Sequence, residues 1–252
     1  MRRAVGVSTW FRVPQYMDEH EILCRGSAFF VGGLAVASAH VLEPWRFPRY
    51  FPEAFIRHVE PAHCRYFLEA RAPDATVAAA VEAAVAGAHA TRDAAALAPL
   101  GDAAALGAAP LALRSEPPGG ALSFAGHAIE DRGGAGGADG GGDDDRVLVP
   151  RTVGGAFAAT FNAATEDAQH FATTDAPLGM GMCGGPVLSA RGGCVGMVEG
   201  IVPPGAPRFA GHACFVGAAQ LEEMLAAAAA PPRAPTTPPP PPPPGLARDF
   251  TR

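Results

Sequence analysis

One stretch constrains this chain more than any other: Gly179–Pro186, which reads G-M-G-M-C-G-G-P. Glycines stand on both sides of Cys183, and glycine permits positive φ angles and a close approach of other molecules to the backbone. A turn of this composition leaves the N–H groups of Gly181 and Cys183 free to point at one spot, where an oxyanion could be held. The pattern indicates an exposed thiol nucleophile. The alternative is a buried cysteine in a glycine-rich turn.

The residues around this turn resemble the nucleophile loop of trypsin-like peptidases. The T-D-A sequence of Thr174–Ala176 precedes the turn, and the G-G-P-V-L sequence of Gly184–Leu188 ends it. This order is similar to the T-D-A, short loop, G-x-S-G-G-P pattern of the HtrA-type branch, with Cys183 at the position of the serine. Picornaviral cysteine proteases have a cysteine there on the same double-barrel fold, and catalytic triads recur with different nucleophiles.

Two further stretches resemble the parts of this family that carry the catalytic base and acid. Cys24–Leu42 contains two short apolar runs separated by a Gly-Gly pair, which predicts a β-hairpin, and it ends in A-S-A-H-V-L. It resembles the family's G-S-G-F-x-V and T-A-A-H-V block, with His40 as the base. His89–Leu100 resembles the H-P-x-x-D-L-A-L-L-x-L strand, which implies that Asp93 orients His40 and stabilises its imidazolium.

Plainer interpretations of these residues stay open at this point. His40 could be a structural or solvated histidine at a strand end, and Asp93 an ordinary polar residue at a strand start. Asp74 and Asp102 are the fallback carboxylates, although both stand in sequences typical of solvated turns.

The resemblance implies an all-β fold of two six-stranded antiparallel barrels followed by a C-terminal helix. We expect the first barrel over residues 1–115, with His40 and Asp93. The second barrel and the helix are expected over residues 116–229, with Cys183.

Two segments have compositions that do not build a packed core. Residues 133–145 are almost entirely glycine and aspartate, which predicts a disordered loop. The proline-rich tail, residues 230–252, is also expected to be disordered. Its proline run is typical of polyproline II ligands, so a domain with an aromatic groove is a candidate partner.

The resemblance also implies where a polypeptide substrate binds. Its first specificity pocket would be lined by Ala176, Pro177, Leu178, Val198, Gly200 and His212. Because these residues are mostly apolar, we expect a small-to-medium apolar side chain before the cleaved bond. The aromatic, proline-containing segment Glu43–His63 is longer than a plain connection, which indicates a lid or a docking surface.

Composition narrows the remaining possibilities. The formal net charge is −6 and no basic run is present, so nucleic acid and anionic membranes are not expected partners. The chain has no lysine, which excludes a lysine base or Schiff base. His58, His63 and Cys64 fit no standard zinc spacing, so we expect neither a metal nor a cofactor.

The chain's surroundings can be predicted only broadly. Five cysteines at irregular spacing fit a reducing compartment better than a disulfide framework, and no secretory signal or membrane span is visible. We therefore predict an intracellular, cytoplasmic protein, with import into an organelle left open.

Two functional hypotheses follow. The first is a trypsin-like endopeptidase with a cysteine nucleophile. The second is an inactive trypsin-type fold that binds a partner protein. Retention of histidine, aspartate and a nucleophile favours the enzyme. The replacement of serine and the absence of a following PDZ-like sequence favour the binding module.

Overall fold

The computed structural model of the protein describes residues 2–115, 119–131, 146–162 and 168–229. The predicted disordered loop (133–145) and proline-rich tail (230–252) lie outside the described residues, and the domain boundaries drawn from the sequence stay predictions.

The described residues form twelve strands, two α-helices and four short 3-10 turns. Strands β1–β6 run over Val5–Phe11, Glu21–Val31, Leu34–Ala37, Cys64–Arg71, Val77–Ala88 and Ala95–Pro99. Strands β7–β12 run over Ala121–Asp131, Arg146–Phe161, Gln169–Thr174, Pro186–Ser189, Cys194–Ile201 and Ala213–Gly217. Helices α1 and α2 cover Ala39–Leu42 and Ala218–Ala229. The 3-10 turns are Pro44–Arg46, Ile56–His58, Pro61–His63 and Ala103–Leu106.

Each set of six strands closes into an antiparallel barrel. The first barrel has the order β1-β2-β3-β6-β5-β4, and the second has the order β10-β11-β12-β9-β8-β7. Closure pairs every strand on both sides, so neither sheet exposes an unpaired edge. The predicted fold of two six-stranded antiparallel barrels with a C-terminal helix is confirmed.

The alanine-rich strand β5 shows how the barrel determines local structure. Its composition suits a helix as well as a strand. Val81 and Ala83 are buried, and Ala79 and Val85 pack against the same core, so every second side chain points inward. This period of two is that of a strand whose neighbours, β4 and β6, pair with it on both sides.

A second core joins the two barrels to helix α2. Phe29 of the first barrel and Met197 of the second belong to the same buried cluster as Leu221 and Met224 of the helix. Burying a leucine or methionine side chain fully contributes about 1.5–3 kcal/mol. The apolar face of α2 therefore packs against both barrels and helps to hold them together.

Candidate active site

His40 lies in the single turn of helix α1 that follows β3. The hydroxyl of Thr9, on β1, donates a hydrogen bond to the carbonyl of Val41 at 2.6 Å and fastens this turn to the barrel. The backbone N–H of His40 donates to Asp93 Oδ1 at 2.7 Å, and its ring Nδ1 lies 2.5 Å from Asp93 Oδ2. One carboxylate therefore fixes both the backbone and the ring of His40.

Strand pairing brings His40 and Asp93 together across the intervening sequence. Ala37 of β3 pairs with Ala95 of β6, so the residues just after β3 and just before β6 are neighbours. The ring Nδ1 of His89 accepts the N–H of Arg92 at 3.1 Å, and the N–H of His89 donates to the Ala94 carbonyl at 2.9 Å. These contacts shape the turn that presents Asp93, whose side chain is only 6% exposed.

The turn with Cys183 requires its glycines. Gly181 and Gly184 have φ of +89° and +87°, a region that favours glycine. A Cβ atom on Gly184 would stand 2.0 Å from the Ser27 carbonyl oxygen. The turn therefore packs against β2 of the other barrel, with the Cys183 side chain near enough to His40 to raise the pKa of its ring.

Ser27 joins the turn that contains Cys183 to the first barrel. Its N–H donates to the Cys183 carbonyl at 2.9 Å, and its hydroxyl donates to the Gly181 carbonyl at 2.7 Å. The same hydroxyl accepts the N–H of His127 at 2.8 Å. Ser27 and His127 are both buried, so the hydrogen bond between them is shielded from water.

Ser27→Ala should lower the free energy of unfolding by about 1–3 kcal/mol, because the buried N–H of His127 loses its acceptor. Urea unfolding of the variant and the wild type measures the difference. Ser115→Ala, which removes an exposed hydroxyl, is the matched control and should have a smaller effect. Equal destabilisation by the two substitutions would contradict the bridging role of Ser27.

The sequence predicts that the N–H groups of Gly181 and Cys183 hold an oxyanion. Within the described ranges neither one donates a backbone hydrogen bond, whereas the N–H of the intervening Met182 donates to the Gly179 carbonyl at 3.3 Å. Two unengaged donors on one turn, beside a thiol, are the arrangement that an oxyanion site needs.

The histidine is strongly basic in this setting. Burial by itself lowers the pKa of His40, but hydrogen bonds to Asp93 and Cys183 and the negative charges of these groups outweigh burial and raise the pKa to about 10. His40 is therefore protonated at neutral pH when both partners can carry charge, and an imidazolium beside the sulfur stabilises a thiolate.

The stabilisation due to His40 should depend on pH. A histidine whose folded-state pKa is about 10, against the ordinary 6.5, stabilises the fold fully below pH 6.5 and loses this contribution as the pH rises towards 10. We expect His40→Ala to destabilise the protein more at pH 6 than at pH 10, measured by urea unfolding. His20→Ala, at an exposed histidine, is the control. A pH-independent difference would contradict this assignment.

Three aromatic rings from the segment predicted to be a lid or docking surface surround His40. The ring centroids of Phe47, Tyr50 and Phe51 lie 6.1, 5.5 and 6.2 Å from that of His40. Burial raises the pKa of Tyr50, helped by the charge of Asp93. These rings limit the access of water to one side of the histidine.

Sequence reasoning missed a second carboxylate near this site. Glu199 accepts a hydrogen bond from the Gln169 amide at 2.7 Å, and burial raises its pKa, with the charge of Asp93 acting in the same direction. The charge of His40 acts on Glu199 in the opposite direction. No motif marks this glutamate, since it follows an ordinary apolar strand sequence.

The predicted pocket residues lie in different environments. Leu178 and Val198 are buried in the core of the second barrel, and Ala176 packs against that core. A Cβ atom on Gly200 would lie 4.0 Å from the sulfur of Cys214, which is only partly buried. Pro177 follows Ala176, in the segment between β9 and the turn that contains Cys183.

The sequence over Arg208–Val216 predicts one continuous strand that carries His212, and this prediction is wrong at the beginning of the strand. Strand β12 starts at Ala213 and leaves His212 in the preceding turn, because Phe209 and Gly211 adopt φ of +57° and +77°. Such angles interrupt a strand. His212 stacks edge-on against Phe209, with centroids 5.6 Å apart.

The described residues contain no group of three His, Cys, Asp or Glu side chains placed to hold a metal ion. None of the helices described is both long enough and apolar enough to cross a membrane.

Two closed antiparallel barrels with a histidine–aspartate pair facing a cysteine turn define a protein of the chymotrypsin-type double-barrel class. The family model described as Trypsin-like peptidase domain matches residues 26–197, more than half of the chain. The chain belongs to this family of trypsin-like peptidases, which supports a protease-type function on polypeptide substrates. No curated protein matches the chain.

Proposed function

We propose that this protein is an endopeptidase in which Cys183 is the nucleophile, His40 the general base and Asp93 the residue that orients His40. The observation that carries the proposal is the position of His40 beside both a carboxylate and a thiol: its Nδ1 lies 2.5 Å from Asp93 Oδ2, and both Asp93 and Cys183 act to raise the pKa of the ring. A nucleophile, a base and an orienting acid in this order are the functional unit of such enzymes.

The reaction would proceed in two halves. In the reactive state His40 holds the proton that Cys183 has given up, and the Cys183 thiolate attacks the peptide carbonyl carbon to form a tetrahedral intermediate. The N–H groups of Gly181 and Cys183 hold its oxyanion, and losing one such donor typically costs about 2.7–4 kcal/mol. His40 then protonates the leaving amine. A water molecule, deprotonated by His40, hydrolyses the thioester and regenerates the thiol.

The substrate would be a polypeptide bound along the second barrel. The loop of this barrel that carries Cys183 is proposed to have the HtrA-type arrangement. The pocket is proposed to include Ala176, Pro177, Leu178, Val198, Gly200 and His212, and to prefer a small-to-medium apolar side chain. The apolar character of most of these residues supports this preference. Besides burial, the charge of Asp93 acts to raise the pKa of both Glu199 and Tyr50, so these two side chains lie near the proposed catalytic residues.

Cleavage of a diverse peptide library, with product termini read by mass spectrometry, tests the proposal. The wild type should cleave after apolar residues, and Cys183→Ala should reduce the rate at least about 1,000-fold, since the nucleophile is lost. Cys64→Ala, a substitution at the start of β4, is the matched control.

Cleavage that survives Cys183→Ala would contradict the proposal. So would a folded wild type that cleaves no peptide. That second result would favour a binding module that uses the aromatic rings of Phe47, Tyr50 and Phe51 around His40. Cleavage mainly after glutamine or basic residues would overturn only the proposed pocket preference.

A further inference from the structure

A cavity of about 840 Å³ lies between the two barrels, and His40, Asp93 and Cys183 do not line it. Both barrels and the N-terminal segment contribute to its wall. The polar residues that matter most are Arg2, Arg3, Arg71, His127, Arg151 and Thr152.

The charge of this cavity has one sign. Its wall carries four arginines, and no aspartate or glutamate is among the described residues that line it. This is unusual in a chain whose net charge is −6. A cavity lined by one sign of charge attracts ligands of the opposite sign.

Among the described residues, two of these arginines have a carboxylate partner. Arg71 is buried and pairs with Glu69 at 2.5 Å. Arg151 lies 3.8 Å from Glu130, but both side chains are about half exposed, so this pair is weak. In the part of the chain that the structure describes, no carboxylate comes within ion-pair distance of Arg2 or Arg3, although Arg3 donates to the Gly192 carbonyl at 3.3 Å.

Burial lowers the pKa of His127 to about 4, and the positive charge of Arg71 and Arg2 at the cavity wall adds to this effect. His127 is 1% exposed, and its Nδ1 has no hydrogen-bond partner among the described residues. Two guanidinium groups therefore act on the same wall from different parts of the sequence.

We propose that this cavity binds a small phosphate-type oxyanion, such as an organic phosphate or a diphosphate. Guanidinium groups match phosphate oxygens with paired N–H donors. The hydroxyl groups of Ser123, Thr152 and Ser189 on the same wall add neutral donors. The volume is in the range of sites for small molecules. A larger polyanion would meet the negative charge of the rest of the chain.

Isothermal titration of the full chain with inorganic pyrophosphate at constant ionic strength tests this proposal. We expect saturable binding at one site. The double variant Arg2→Ala/Arg151→Ala should weaken it at least about 10-fold, because each guanidinium would donate charge-assisted hydrogen bonds. The double variant Arg57→Ala/Arg208→Ala removes the same charge from exposed positions outside the cavity and should change the affinity less than about threefold.

A second arm distinguishes a soluble phosphate from a lipid headgroup. Sedimentation with phosphatidylcholine vesicles, with and without a phosphoinositide, should show no added binding to the phosphoinositide. The proposal fails if pyrophosphate does not saturate, if both double variants weaken binding equally, or if only the phosphoinositide vesicles bind. Because the readout is anion binding, it does not depend on whether the chain cleaves peptides.

Discussion

Iodoacetamide should alkylate Cys183 at pH 7 at least about 100-fold faster than Cys64, Cys194 or Cys214 in the folded protein. Burial raises the pKa of each of these three thiols to about 12, with a contribution from the Glu43 charge at Cys64. They are therefore almost entirely protonated at neutral pH, and thiolates are the reactive species. Cys183 differs because it lies near enough to His40 to raise the pKa of the imidazole. Peptide-resolved mass spectrometry gives all rates from one sample.

The same measurement separates the roles of His40 and Asp93. His40→Ala should slow alkylation of Cys183 about 10- to 30-fold, since an ordinary thiol is only a few per cent ionised at pH 7. Asp93→Asn should slow it less, because the amide can still accept the His40 N–H but cannot hold an imidazolium. His20→Ala should have no effect. Uniform reactivity of all cysteines, or indifference to His40→Ala, would contradict the assignment of the pair.

Gly184→Ala should lower the free energy of unfolding by about 4 kcal/mol or more, or leave no folded protein. The new methyl group would stand 2.0 Å from the Ser27 carbonyl oxygen and 2.9 Å from the Ser38 nitrogen, and both are backbone atoms that cannot rotate away. The backbone angle of +87° adds strain for any residue with a side chain. Thermal and urea unfolding, followed by circular dichroism, measure the loss.

Gly205→Ala is the matched control for this substitution. A Cβ atom there would have nothing within 4 Å, so the variant should unfold like the wild type. If Gly184→Ala folds with wild-type stability, the packing of the turn against the first barrel must differ from the one described here.

The sequence predicted the parts of the fold that short motifs encode. Local sequence patterns mark three parts of the fold: the hairpin of β2 and β3, the residues before β6 and the turn after β9. The double barrel was predicted because these patterns resemble those of trypsin-like peptidases. The helical turn of His40 was not predicted, because it depends on contacts such as the hydrogen bond from Thr9 to Val41. The motifs named His40, which lies beside Asp93, but they did not name Glu199 or Tyr50, which the charge of Asp93 also affects.

Those neighbours could not be predicted because distant strands bring them in. Glu199 lies on β11, which pairs with β12, and β12 pairs with β9. This order of strands brings Glu199 to Gln169 at the start of β9. The rings of Phe47, Tyr50 and Phe51 could be recognised as an aromatic segment, but not as one that surrounds His40. The start of β12 was predicted wrongly because a positive φ at Phe209 has no sequence signal.

The hydrogen bonds of Ser27 bear on how the protein is made. The N-terminal half supplies the histidine, the aspartate and the serine that anchors the turn, whereas Cys183 is synthesised much later. Neither half by itself can place an imidazole beside the sulfur. We infer that a reactive thiolate forms only when the two barrels have docked. The Cys183 thiolate therefore cannot cleave the nascent chain before folding is nearly complete.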